Sequence, residues 1–118
     1  MINFTNHPYT MWDEEQKKAA RAFGEIKEIP FPAVDPAATE EEVDRLAGEY
    51  KERILALHDP VVLVQGEFTM SFRLVQLLKE EGLQVVAACS ARNAKEWRDE
   101  EGKYHKEMGF EFVQFRRY

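Results

Sequence analysis

Apolar positions recur along the chain in two rhythms, one suited to buried strands and one to amphipathic helices. Met1 to Phe4 is a short apolar segment that runs into Thr5-Asn6-His7-Pro8, which predicts a first strand ending in a turn. Thr10-x-x-Asp13 fits a helix cap, and Asp13, Glu14 and Glu15 suit the positive end of a helix. Trp12, Ala19, Ala20 and Phe23 follow near helical spacing, and Gly24 is a natural stop. Lys27 to Phe31 reads as a weak second strand that Pro30 and Pro32 push to a sheet edge. Thr39-x-x-Glu42 is a second capping pattern. It opens a helix whose apolar stripe is Val43, Leu46, Ala47, Tyr50, Ile54 and Leu57, and Asp59-Pro60 ends it.

Val61 to Val64 is continuous and apolar rather than alternating, as expected of a strand covered on both faces of a parallel sheet. Gln65-Gly66-Glu67 breaks it. The spacing then predicts a third helix with Phe68, Phe72, Val75 and Leu78 on its inner side and Gly82 just past its end. Leu83 to Cys89 predicts another doubly covered strand, ending at Ser90-Ala91-Arg92. Asn93 to Lys106 is polar, with a turn at Glu101-Gly102. Phe110 to Tyr118 reads as a last strand, with Phe110 and Phe112 on one face and Val113 and Phe115 on the other. Strands alternating with helices define an α/β fold: a Rossmann-like open, largely parallel sheet flanked by helices, with a C-terminal β-hairpin. Residues 1–118 read as a single domain.

Composition narrows the partners. A net charge of −6 and a pI near 5.1 argue against a broad electrostatic footprint for duplex nucleic acid. One small anionic ligand held by local donors is still compatible. The single cysteine, Cys89, excludes an intramolecular disulfide and a Cys-rich metal site, and its apolar neighbours suggest a buried thiol. No apolar run is long enough to cross a bilayer, and Met1-Ile2-Asn3-Phe4 lacks the features of a signal peptide. A cytoplasmic location without membrane contact is the expectation.

Ligands of open α/β sheets bind beyond the carboxyl ends of the strands, where the strand order reverses. That rule selects Thr5-Asn6-His7-Pro8, Gln65-Gly66-Glu67-Phe68-Thr69 and Ser90-Ala91-Arg92. Gly66 lets a ligand approach the backbone, and the N–H groups that follow it suit a phosphate oxygen. Thr69, Ser71 and Ser90 offer hydroxyls, while Arg92 and Arg73 offer forked donors. Asn6 can read a base edge or a ribose hydroxyl, and His7 belongs to the residue type that exchanges protons near neutral pH. Each residue also has a plainer reading. Asn6 and His7 suit a turn, Gly66 can simply end a strand, and Glu67 answers the helix dipole. Arg92 can be a solvated charge or a partner of Glu67. Dinucleotide, P-loop, zinc-protease and hydrolase-elbow signatures are absent, and His7, His58 and His105 lack ligand spacing. Neither a metal site nor a cofactor is expected.

Four segments carry a resemblance: Asn3-Phe4-Thr5-Asn6-His7-Pro8, Val64-Gln65-Gly66-Glu67-Phe68-Thr69, Ala88-Cys89-Ser90-Ala91-Arg92 and Phe112-Val113-Gln114-Phe115-Arg116-Arg117-Tyr118. Together they resemble the small stand-alone CRISPR-associated proteins related to the CARF domain, some of which are ring nucleases. The resemblance implies a homodimer that binds a cyclic oligoadenylate, with tetra-adenylate the ring to test first, as in type III CRISPR defence. It also implies metal-independent cleavage, in which a ribose 2′-hydroxyl attacks its own phosphate and leaves a 2′,3′-cyclic phosphate. On that reading Ser90, Arg92 and the Gly66 loop hold phosphate, Asn6 contacts adenine or ribose, and His7 transfers the proton. Thr5, Gln65, Glu67, Thr69 and Arg73 complete the ligand-binding set. Two alternatives stand beside it. One is a sensor or sponge that holds the ring intact. The other is a small protein-interaction module that uses the aromatic tail.

Overall fold

The computed structural model describes all 118 residues. In chain order the elements are β1 (Ile2–Thr5), α1 (Glu14–Arg21), β2 (Lys27–Glu28), α2 (Glu40–Leu55), β3 (Val61–Gln65), α3 (Phe68–Glu80), β4 (Gln84–Arg98) and β5 (Tyr104–Arg117). They build one five-stranded sheet in the order β2-β1-β3-β4-β5. The first three pairings are parallel, and β4 with β5 is antiparallel. This is the α/β plan with a C-terminal hairpin that the alternation predicts.

Strand alternation divides the core in two. Ile2, Phe4, Val62, Val64 and Val85 face α2 and α3, and pack with Val43, Ala47, Ile54, Met70, Leu74 and Leu78. Met1, Leu63, Val61 and Val86 face α1 and pack with Trp12 and Ala20. The two faces are unequally covered. Helices of 16 and 13 residues lie on the first, whereas α1 has only eight residues and spans about 12 Å. The C-terminal ends of the central strands on the α1 side are therefore left without a helical cover.

Several local expectations are corrected. Thr10 does not cap α1: Tyr9–Met11 forms a 3₁₀ turn, and Asp13 is the cap, accepting from Gln16 N at 2.8 Å. The inner side of α3 is Met70, Ser71, Leu74, Val75 and Leu78, while Phe68 and Phe72 are 89% and 64% exposed. Leu74 and Met70 reach the sheet, so the two Phe side chains project from the helix into solvent. The second strand forms only at Lys27–Glu28. The chain nevertheless hugs β1 as far as Phe31, with Ile29 N and Phe31 N donating to Asn3 O and Thr5 O. Cys89 is half-buried rather than enclosed.

The largest correction concerns β4. Ser90-Ala91-Arg92 does not end that strand, because β4 runs on to Arg98 and returns as β5 through a turn at Asp99–Lys103. A bulge between Cys89 and Ser90 leaves Val113 without a partner, since Cys89 faces Gln114 and Ser90 faces Phe112. The extra residue reverses the alternation. Phe112 and Phe115 consequently lie on one face, 4.8 Å apart between ring centroids, and Phe115 packs towards Trp12 and Phe23. Beyond the bulge the hairpin leaves the body of the protein as a two-stranded arm. The radius of gyration is 17.3 Å, against about 13.5 Å for a compact chain of this length.

Candidate functional site

The uncovered end of the α1 face forms an open cleft of about 500 Å³. Thr5, Asn6 and His7 line it beyond β1, and Leu63 and Gln65 along β3. Ala88 and Ser90 contribute from β4, Phe110 and Phe112 from β5, and Met11, Trp12, Asp13 and Gln16 from the segment leading into α1. Strand order reverses between β1 and β3, because the chain proceeds from β1 to one side and from β3 to the other. The cleft thus occupies the switch point where open α/β sheets bind their ligands.

Three buried groups fix the loop that carries Asn6 and His7. The backbone oxygen of His7 accepts from Asn3 Nδ2 at 3.1 Å, Trp12 Nε1 at 3.0 Å and the Thr5 hydroxyl at 2.9 Å. His7 N donates to Thr5 Oγ1 at 3.0 Å. Asn3 and Thr5 are 3% and 6% exposed, so these bonds form away from competing water. Thr5 is therefore part of the support beneath the site. The Asn6 and His7 side chains make no hydrogen bond within the chain and are exposed at the cleft.

Gln65 has a structural task. Its amide donates to Ala88 O at 3.2 Å, and its oxygen accepts from Ala88 N at 3.0 Å. Backbone pairing between β3 and β4 ends at Leu63 and Val86, and the Gln65 side chain continues the ladder where the strands part. Asp13 is committed too. One oxygen caps α1, and the other accepts from Phe112 N at 3.2 Å. Those N–H groups partly offset its charge. The cleft has no Lys or Arg in its lining.

The remaining predicted residues lie elsewhere. Gly66 faces the ring of Phe31, which occupies the space a Cβ would need, so its smallness is used in packing. Glu67 caps α3, accepting from Met70 N at 2.8 Å, Thr69 N at 3.0 Å and the Thr69 hydroxyl. These bonds, that of Met70 N foremost, hold its carboxyl below its usual range. The N–H groups expected to cradle phosphate are thus satisfied by the chain's own carboxylate. Arg73 pairs with Asp44 and donates to Thr69 O at 3.1 Å. Arg92 lies on the arm beside Met108, 3.8 Å from its sulfur, and does not pair with Glu67. Of the predicted set, the cleft gathers Thr5, Asn6, His7, Gln65 and Ser90. It leaves out Gly66, Glu67, Thr69, Arg73 and Arg92.

The lining residues that the sequence did not mark are Met11, Trp12, Asp13, Gln16, Phe110 and Phe112, with Leu63 and Ala88 on the strands beneath. Phe110 is 72% exposed at the rim, where it offers a flat apolar surface to a ligand. Its signal was present in the apolar run Phe110 to Phe115, but that run gave no hint that the bulge turns both rings towards the cleft. No three His, Cys, Asp or Glu side chains converge anywhere in the molecule.

Fold and cleft define a Rossmann-like α/β protein with a ligand-sized opening at its switch point. The family model described as "Uncharacterized protein MJ1673 family" matches residues 1–116, and the chain belongs to that family. That match carries no link to CRISPR-associated or CARF proteins. No curated protein and no solved structure matches the chain.

Proposed function

We propose that the cleft binds a nucleotide, a cyclic oligoadenylate foremost, and that the bound ring is cut there without a metal. The observation that supports this reading is the convergence of unbonded Asn6, His7 and Ser90 with the exposed ring of Phe110 around one cleft at the switch point. An adenine can stack on Phe110, since base–aromatic stacking tolerates a solvent-facing rim. Asn6 presents the paired donor and acceptor that an adenine edge matches. His7 and Ser90 stand on either side of the opening with free polar atoms. His7 suits proton transfer from a ribose 2′-hydroxyl, and Ser90 suits a phosphate oxygen. The identity of the ring as an oligoadenylate rests on the resemblance of the strand-end segments.

The absence of a cation from the cleft lining favours a second reading, in which the ring is held and not cut. Incubation with labelled cyclic tetra-adenylate in excess EDTA separates the two. Linear products that disappear in His7→Ala while the ring still binds support the nuclease. Recovery of intact ring from wild-type complex supports the sponge. No binding of cyclic or linear adenylates by the folded protein would end both readings, and the exposed aromatic arm would then favour an interaction module.

A further inference from the structure

The arm formed by residues 91–113 cannot be explained by the fold that carries it. Its strands contact each other and little else, and an isolated two-stranded ribbon is marginal in water. It nevertheless exposes Trp97, Tyr104, Met108, Phe110 and Val113 by 46%, 53%, 42%, 72% and 61%. β5 is also an edge strand. Asp99 N donates to Lys103 O, and from that bond the alternation of the ladder turns the odd residues of β5 towards β4. Tyr104, Lys106, Met108, Phe110 and Phe112 therefore direct their N–H and C=O groups outward. Phe112 N confirms this, since Asp13 caps it. Protection stops there. Between Tyr104 and Phe110 the charged residues are Lys106 and Glu107 and there is no proline, whereas exposed edges are ordinarily blunted by charges, prolines, bulges or a covering element.

We infer that this edge pairs antiparallel with the same edge of a second copy, about a two-fold axis at Met108. Charge favours a second copy over a strongly charged partner. The arm balances Arg92, Lys95, Arg98, Lys103 and Lys106 against Glu96, Asp99, Glu100, Glu101, Glu107 and Glu111, while the whole chain has a net charge of −6. Two arms can therefore meet with little repulsion, and the acidic bodies stay apart. Charge also narrows the register, because like charges directly opposite one another destabilise a sheet. An axis at Lys106 sets Lys106 against itself, one at Glu107 sets Glu107 against itself, and one at Gly109 sets Glu107 against Glu111. An axis at Phe110 avoids all three but places Phe112, whose N–H Asp13 already holds, beside the axis, whereas one at Met108 avoids all three and leaves Phe112 at the end of the ladder. It opposes Met108 to itself, His105 to Glu111, Lys106 to Phe110 and Tyr104 to Phe112. Only the edge from Tyr104 to Phe112 meets the partner, so the contact is smaller than the roughly 800 Å² per partner of a standard interface, and the backbone ladder holds it as in strand addition.

This register bears on the cleft. Phe110 and Phe112 line it, so Lys106 and Tyr104 of the partner subunit arrive beside it. The partner thus brings a cation to a cleft that has none of its own. That consequence rests on the nucleotide reading, whereas the interface does not.

The test therefore uses no nucleotide. The full chain should sediment as a dimer at micromolar concentration, and Met108→Asp should sediment as a monomer with unchanged circular dichroism. In a Cys89→Ser background, Met108→Cys should form a disulfide-linked dimer under mild oxidation. Residues facing each other across a bonded antiparallel pair stand about 5.5 Å apart at Cα, within disulfide range. Lys106→Cys alone should not cross-link, since its two copies lie about 13 Å apart along the strands. Lys106→Cys with Phe110→Cys in one chain should. A monomeric wild type overturns the inference. So does a dimer in which Met108→Cys fails to cross-link, or one in which Lys106→Cys alone cross-links as well.

Discussion

A methyl group on Gly66 has nowhere to go, because the Phe31 ring fills the space a Cβ would need. Gly66→Ala should cost about 1–3 kcal/mol in urea denaturation, the usual range for overpacking. Nucleotide affinity of the folded protein should not change, which separates packing from phosphate contact at that position. Glu67→Gln tests the helix cap in the same way. Its carboxyl is held below the usual 4.5 by Met70 N, Thr69 N and the Thr69 hydroxyl. A lowered carboxylate pKa contributes stability that is present above the unfolded value and fades as pH falls through the folded one. The wild type should accordingly exceed Glu67→Gln in stability at pH 7, and the gap should narrow as pH falls below 4.5 and close as it passes the lowered folded value. At this scale the sequence marked Asn6, His7 and Ser90 as candidates because each lies beside a strand that the apolar pattern reveals. Gly66 and Glu67 were equally visible, but one sequence cannot show that a ring presses on the glycine. Arg92 follows from its expected strand-end position and Arg73 from its forked-donor chemistry, but their partners, Met108 and Asp44, come from distant parts of the chain.

Among the elements, α1 determines where the sheet stays open. Asp13 holds both its start and the inner end of the β5 edge. Asp13→Ala removes a cap and leaves Phe112 N without its partner, so it should lower stability by about 1–2 kcal/mol in chemical denaturation. β1, β3 and α2 were legible because burial leaves a strong apolar rhythm in them. α3 was legible as a helix with Val75 and Leu78 facing inward, but Phe68 and Phe72, which lie at the same helical spacing, face solvent. The last strand and the turn near Glu101-Gly102 were legible, but the continuation of β4 past Arg92 was not. Both faces of residues 91–98 are solvated, which leaves no alternation to mark a strand. The bulge at Val113 is a pairing event between strands and has no signature in either strand alone.

For the whole molecule, the switch point between β1 and β3, the short α1 and the projecting arm together define one cleft with an aromatic rim. Topology placed the site near β1 and β3, and the register of β5 decided which rings border it. The parallel order was recoverable from alternation, but the departure of β4 from the sheet was not. Whether the cleft is a nucleotide site is best tested by titrating cyclic tetra-adenylate into wild type, Asn6→Ala and Phe110→Ala in a calorimeter. Both positions are exposed, so each variant should melt as wild type does. The account predicts saturable binding to wild type, weakened about tenfold or more by Phe110→Ala, as loss of one stacked base implies, and weakened also by Asn6→Ala. Binding of equal strength in all three proteins, or none in wild type, would contradict it.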